Sequence, residues 1–379
     1  MDKEMVYDAA IVGGGLAGLA ASILLAEKGH KTILFEKDSY PFHKVCGEYI
    51  SLESWPFLAS LGLPLEKWEL PIIKKLHVSS PDGTILSHNL GMGGFGISRY
   101  KLDFELSKIA ESKGVKICIE TKVEKIEFVE NQHFNVYFSS ELIKAKVVLG
   151  SFGKRSNIDI KWQRNFVKKP QTSQYNYIGV KYHIQTDFPH DLIELHNFED
   201  GYCGISKVED DRYCLCYLTT AKNLQKHGSI ANLEDKVLKK NILLRTHLEN
   251  STFLYDSPLV ISQVNFSNKK SIENHVLMVG DSAGLIAPLC GNGMSMALHG
   301  AKLASEQADL FLKGQISRDE MEKNYSKNWK KHFSLRLFVG RTVQYTFGKS
   351  EITNFVVKFM KKSPILVEKL INLTHGKVF

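Results

Sequence analysis

Cysteine is scarce: six residues, Cys46, Cys118, Cys203, Cys214, Cys216 and Cys290, are scattered over 379 positions. Such a distribution excludes a disulfide framework and fits thiols kept reduced in a cytoplasm. Cys214 and Cys216 are the only close pair. With no second pair at zinc spacing they read as two positions of one strand. Long apolar runs are missing too. Nothing approaches the ~20 residues of a membrane-spanning helix, and the acidic N-terminus runs straight into a strand pattern, so no cleavable signal peptide is expected. No internal repeat or low-complexity tract appears, which excludes a solenoid or a flexible linker.

Acidic residues are also in deficit, 41 against 49 bases, for a net charge of +8. The imbalance is local. From Lys313 onward bases exceed acids by nine, so the rest of the chain is nearly neutral. A nucleic-acid surface would add interleaved aromatics or a reader motif. Neither is present, so no nucleic-acid partner is expected. The tail reads either as a solvated helical face or as a peripheral contact with the inner membrane surface, because Ile352 to Leu373 mixes Phe355, Phe359, Ile365 and Leu366 with lysines.

Against these absences stands one dense motif. The apolar run Tyr7 to Val12 meets Gly13-Gly14-Gly15-Leu16-Ala17-Gly18, an alanine- and leucine-rich helix follows to Lys28, and Thr32 to Phe35 forms a second strand pattern ending at Glu36. In a dinucleotide-binding βαβ unit the first glycine allows the turn, the second lets the backbone approach the phosphates and the third packs helix against strand. The helix N-terminus offers free N–H groups and partial positive charge to a pyrophosphate. Glu36 is placed to accept ribose hydroxyls and disfavours a 2′-phosphate, so the site suits FAD or NAD better than NADP. Gly91 to Gly96 satisfies the same spacing without a preceding apolar strand or a following helix, and reads as a flexible loop or strand end.

Further along, Ser98 to Asp103 opens a helix reaching about Lys113, and strand patterns follow at 115–118, 123–128, 135–138 and 145–149. A β-rich segment runs from about Tyr175 to Thr219, and Asn232 to Leu248 has helical spacing. His275 to Val279 is a second strand that meets glycine-rich sequence, Gly280-Asp281-Ser282-Ala283-Gly284, before a long helix from about Met294. Two such exits predict one nucleotide domain assembled from distant segments.

On these motifs the chain, over about Tyr7 to Leu312, resembles the flavoprotein superfamily of geranylgeranyl reductases, p-hydroxybenzoate hydroxylase-like aromatic hydroxylases and flavin halogenases. The resemblance implies FAD contacts at Gly13, Gly15, Leu16, Ala17, Gly18, Glu36 and Lys37. It implies an arginine reaching the flavin at Arg99, in an Arg-x-x-Leu-Asp pattern, and a ribityl contact at Asp281. Gly291, Asn292, Gly293 and Met294 would face the flavin, whose reduced form carries negative charge that a helix start can balance. No metal is implied. The family's Gly-Ala-Asp-Gly is Gly150-Ser151-Phe152-Gly153 here, so the handling of NAD(P)H as electron donor departs from the pattern. The lysine and tryptophan motif of halogenases is missing.

Lys44-Val45-Cys46-Gly47-Glu48 is similar to the cysteine-glycine loop of the reductases. Cys46 is therefore the candidate catalytic residue, as a proton donor to a carbon being reduced; the alternative is a thiol that packs beneath the flavin. His43 and His299 read as structural or solvent-facing, and Cys290, in the flavin-facing loop by the resemblance, as filling space. The expected architecture is α/β, with a Rossmann-like FAD-binding domain from 1–165 and 268–312, of which 76–96 contributes to the substrate domain. An inserted antiparallel β-sheet substrate domain covers 166–267, and C-terminal helices cover 313–379. The expected activity is FAD-dependent reduction of carbon–carbon double bonds in a lipophilic molecule. The alternatives are hydroxylation of an aromatic or polyketide-type substrate with NAD(P)H and O2, and a flavin-binding module without turnover. The oligomeric state is open.

Overall fold

An apolar run without polar alternation marks a strand covered on both faces, and Ala9, Ala10 and Ile11 are wholly buried in β1 (Val6–Val12). In the computed structural model, which describes residues 6–130, 132–168 and 176–379, β1 passes into α1 (Leu16–Glu27) and returns as β2 (Thr32–Phe35). Next come β3 (Tyr49–Ser51), α2 (Trp55–Ser60), the hairpin β4 (Ile72–Ser79) and β5 (Ile85–Gly96), and α3 (Arg99–Ser112). β6 (Lys116–Cys118) precedes the meander β7 (Val123–Val129), β8 (His133–Phe138) and β9 (Glu141–Gly150). Two short helices, α4 (Asn157–Lys161) and α5 (Asn165–Lys168), lead away from it.

The second half opens with β10 (Tyr177–Gln185), β11 (Leu192–Phe198), β12 (Gly201–Lys207) and β13 (Tyr213–Thr220). Helices α6 (Ala221–His227), α7 (Ile230–Lys236) and α8 (Ile242–Asn250) follow. Then come β14 (Thr252–Phe253), β15 (Leu259–Val264), β16 (Ile272–Glu273) and β17 (Val276–Met278). The chain closes with α9 (Gly293–Leu312), α10 (Arg318–Thr346), α11 (Ser350–Lys361) and α12 (Pro364–Thr374).

Among the described residues the strands make two sheets. The first runs β16-β17-β9-β1-β2-β6, parallel from β17 to β6, with β7 and β8 branching from β9. The two glycine-rich strand exits, at Gly13 and Gly280, therefore leave one sheet with β9 between them. The second sheet runs β14-β10-β13-β12-β11-β4-β5-β3, with β15 added on β10. It is antiparallel except where β11 meets β4 in parallel, Leu195 opposite Val78.

Two expectations change. Residues 49–75, placed with the nucleotide half, supply β3 and the start of β4 to the second sheet, because the partner of β4 is a strand more than a hundred residues away that local pattern cannot reveal. The helix expected over 232–248 is broken, and Asn241 starts α8 by accepting the N–H groups of Leu243 and Leu244 (3.1 and 3.3 Å). Gly91 to Gly96 form the end of β5, the strand end their sequence suggested, with Gly94 and Phe95 paired to both β3 and β4. From the C-terminal helices, Met321, Tyr325, Trp329 and Phe333 of α10 belong to the main core. Tyr175, where the β-rich segment was expected to begin, lies outside the described residues.

Candidate functional site

The strand-to-helix turn after β1 needs glycine at two points. Gly13 has φ +108°, and a Cβ there would sit 2.4 Å from the Ser151 carbonyl oxygen. A Cβ on Gly18 would sit 2.0 Å from the Gly13 oxygen, so a larger residue would push α1 off the strand. Gly13, Gly15, Leu16 and Ala17 line a cavity of about 1290 Å³ between the two sheets, while Gly18 lies beneath that lining. No acidic side chain occupies the first turn of α1, leaving its N–H groups to an anion. Glu36, at the end of β2, lines the same cavity; its Oε2 accepts the Gly14 N–H (2.9 Å) and its Oε1 the Asp38 N–H (3.1 Å). Lys37 is on the rim, exposed and paired with Asp38 at 2.7 Å.

Across the cavity stand Asp281, Gly291, Gly293 and Met294. Desolvation raises the Asp281 carboxyl, against the pull of Lys269, Arg99 and Lys154. Lys269 donates to the carbonyls of Lys154 and Asp281 (2.7 Å each), and burial brings its ammonium down to about 8. Asn292 departs from its expected place. Its side chain turns away and donates to the Thr374 carbonyl (2.8 Å), tying the start of α9 to the end of α12. Phe152 lines the cavity where the resembling family has aspartate, its ring edge-on to Trp162 at 6.5 Å.

Arg99 follows Ser98, which caps α3 through the Lys101 N–H. Its guanidinium forks onto Asp103, Nε to Oδ1 at 2.8 Å and Nη2 to Oδ2 at 2.7 Å, and Lys44 adds a third bond at 2.9 Å. Burial opposes charge on Asp103, but Arg99 and Lys44 outweigh it and hold the carboxyl below its usual range. The Arg-x-x-Leu-Asp pattern is thus one helical turn that locks a cation at the cavity wall, and Lys44 ties the cysteine loop to it.

Beside Cys46 the tertiary structure assembles a polar chain that sequence order did not reveal. Glu48, fully buried with φ +55°, accepts the Arg99 N–H (2.8 Å) and the Lys181 ammonium (2.5 Å) on Oε1, and contacts His183 Nε2 at 2.6 Å through Oε2. His183 Nδ1 is 2.7 Å from the Tyr255 hydroxyl, which is 3.0 Å from His43 Nε2. Burial works against the Glu48 carboxylate, yet Lys181 and His183 outweigh it and hold the group at about 2. Burial likewise opposes charge on Lys181, and Glu48 more than restores it. His43, expected to be structural or solvent-facing, lines the cavity and stacks on Tyr100 at 4.5 Å; burial, with Lys181 and His183, brings it down to about 4.

Cys46 itself lines the cavity. Burial raises its thiol, while Arg99 pulls the other way. Cys214 donates to the Cys46 carbonyl (3.2 Å) from one face of β13, which Cys216 shares. His299 stacks on Phe379 at 4.3 Å, a packing role as expected. Sequence reasoning missed Lys181, His183, Tyr255, Lys154 and Lys269. Lys181 and His183 did carry a signal, being charged or titratable residues in an otherwise apolar, alternating strand.

The described residues fit a flavin dinucleotide: a helix start for the pyrophosphate, an acid at the ribose position, and a glycine-rich helix start and carboxyl opposite. A family described as FAD binding domain matches residues 6–332. Among curated proteins the chain is 25% identical to conditioned medium factor receptor 1 of Dictyostelium discoideum, over 90% of this chain and 71% of that one. It is 23% identical to a digeranylgeranylglycerophospholipid reductase of Methanococcus vannielii, over 96% and 97%. The fold is that of a geranylgeranyl bacteriochlorophyll reductase-like protein from Thermoplasma acidophilum (TM-score 0.79, 16% identity, 97% of this chain and 95% of that one). A flavin-dependent brominase shares it equally (TM-score 0.79, 16% identity, 98% and 93%).

Proposed function

The chain belongs to the FAD-binding domain family and is an FAD-dependent oxidoreductase, and from that premise we propose that it reduces carbon–carbon double bonds of a bulky isoprenoid-type lipid. The observation that carries this reading is the position of Cys46, on a loop held between the nucleotide cradle and the second sheet, with Arg99 and Lys181 among the charges acting on its thiol. Bound FAD, once reduced, supplies hydride. The chain's own residues supply the rest. Gly13 to Ala17 hold the pyrophosphate at the start of α1, Glu36 takes the ribose and Asp281 the ribityl chain.

Because burial raises it, the Cys46 thiol keeps its proton at neutral pH until the carbon next to the hydride-accepting one takes it. Arg99, the backbone N–H of Glu48 and Lys181 favour the thiolate left behind, against the Glu48 carboxylate. Hydride and proton together saturate one double bond. The cavity that takes the FAD extends to Ile193, Leu195, Leu218 and Ile261, which give it an apolar wall on the second sheet. A relative named digeranylgeranylglycerophospholipid reductase that aligns over 97% of its length supports the same substrate class.

For the electron donor we propose NAD(P)H, received at the cavity mouth where Lys154 and Arg155 stand. Anaerobic mixing with NADH or NADPH then bleaches the flavin absorbance; an unchanged spectrum with both assigns the role to a protein donor. The reaction type is tested by incubating the reduced holoprotein with an unsaturated isoprenoid lipid without oxygen and weighing the product. A gain of two hydrogens per double bond is expected. Turnover that requires O2 and adds oxygen overturns the reductase reading in favour of hydroxylation.

A further inference from the structure

Successive strand residues face opposite sides of a sheet. Ile193 and Leu195 of β11 line the flavin-side cavity, so Glu194 and His196 face the back of the sheet, where Leu192 and Phe198 pack with Leu244 of α8. There the Glu194 carboxylate is surrounded by three imidazoles from three elements. His77 of β4 places Nδ1 3.1 Å from Oε1. His196 and, from α8, His247 each place Nε2 3.0 Å from Oε2.

The geometry at His196 is not that of a hydrogen bond. Its side chain is 1% exposed and its Nε2 makes no hydrogen bond among the described residues despite that 3.0 Å separation, whereas His247 and His77 are each hydrogen-bonded to the carboxylate. One ligand atom each from Glu194, His196 and His247 lies within 4.8 Å of the others. Tetrahedral zinc with bonds of about 2.0–2.1 Å separates neighbouring ligand atoms by roughly 3.3 Å, close to the spacing around Oε2.

The surroundings orient the set as metal ligands are usually oriented. His196 Nδ1 is 2.9 Å from the Ser79 hydroxyl, which also accepts from Asn241 Nδ2 (2.8 Å), leaving Nε2 as the free face of the ring. His77 holds the second carboxylate oxygen and is a third exposed, giving an ion a path from solvent.

We propose that Glu194, His196 and His247 bind a divalent cation of the zinc class, with the remaining position taken by water or His77, and that the ion ties α8 to β4 and β11. Two imidazoles and one carboxylate suit Zn²⁺ and exclude strong binding of Mg²⁺, which wants six oxygens. The role is structural, since the ligands lie on the sheet face turned away from the flavin cavity.

The test uses untagged, FAD-loaded full-length protein dialysed against a chelator and titrated with ZnCl2 by calorimetry, with thermal unfolding followed by circular dichroism. One equivalent binds and the melting temperature rises, while the flavin spectrum is unchanged and Mg²⁺ has no effect. His247→Ala, a partly exposed change on α8, weakens Zn²⁺ binding more than about 100-fold, beyond the roughly 10–100-fold a lost orienting partner costs, and Glu194→Gln does likewise with the fold and flavin retained. Absence of a Zn²⁺ response in the wild-type protein overturns the proposal. So does a response of equal size in both variants, or equal stabilisation by Mg²⁺.

Discussion

Cys46 and Glu48 are two residues apart and burial acts on both, yet it leaves them in opposite states. The thiol is raised and stays protonated; the carboxyl, gripped by Lys181 and His183, stays ionised at about 2. The proposed reduction follows from that contrast, since one group can give a proton at pH 7 and the other cannot. Cys46→Ala is expected to lower kcat by about 10²–10⁴, the usual worth of a positioned acid, with flavin content unchanged. Wild-type activity in that variant would assign the thiol to packing. Linkage sets a second expectation. The Glu48 carboxyl is depressed from its usual 4.5 to about 2 on folding, so its stabilisation is full above about 4.5 and is lost as pH falls toward 2. Acid unfolding followed by circular dichroism should show this, and in Glu48→Gln the decline in stability over that window should be shallower.

Among the elements, those with strong local statements were legible. β1, α1, β2 and the start of α3 stand within a residue or so of where apolar runs, glycines and the Ser98 cap put them. Elements whose shape depends on partners were not. Asn241 looked like one polar position in a helical run; it caps α8 because Ser79 and the Asn197 carbonyl hold its amide nitrogen. The same distinction applies to α11, whose mixed sequence admitted a solvated face or a membrane contact. Val357 packs with Val78 and Leu86 of the second sheet, yet Phe355 and Phe359 are 70% and 53% exposed beside Lys358 and Lys361. No helix among the described residues is long and apolar enough to cross a membrane. We propose that this outer face rests on a lipid surface and that the protein works at the cytoplasmic side of a membrane, where a lipophilic substrate would be found. Phe355→Asp with Phe359→Asp should cut sedimentation with anionic liposomes several-fold without changing the melting temperature. Undiminished sedimentation would place the contact elsewhere.

For the whole molecule, the basic tail proves structural. α10 supplies Tyr325 to the core and donates the Tyr325 hydroxyl to the Met278 carbonyl at 2.5 Å, while Arg336 approaches buried Glu53 at 3.4 Å. Removing everything after Leu312 would uncover that core and strip Glu53 of both Arg336 and the Gly376 N–H. Such a truncated chain is expected to be insoluble or to lose cooperative thermal unfolding, as calorimetry would show; a soluble, FAD-loaded fragment with a sharp transition would contradict this.

By itself the sequence determined the nucleotide cradle, because turn, helix start and acid lie within some thirty residues and each follows from local backbone geometry and charge. It also tied that cradle to the distant Gly280-Asp281 segment, since both announce a strand that ends in glycine. Only the tertiary structure decided what surrounds Cys46 and Glu194. Lys181 and Arg99 act on the first, with His183 and Tyr255 linked to it through Glu48, and His77 and His247 reach the second, through pairings of strands and helices far apart in the chain. Coulombic and ligating interactions act over a few ångströms of space, and separation along a sequence carries almost no information about them.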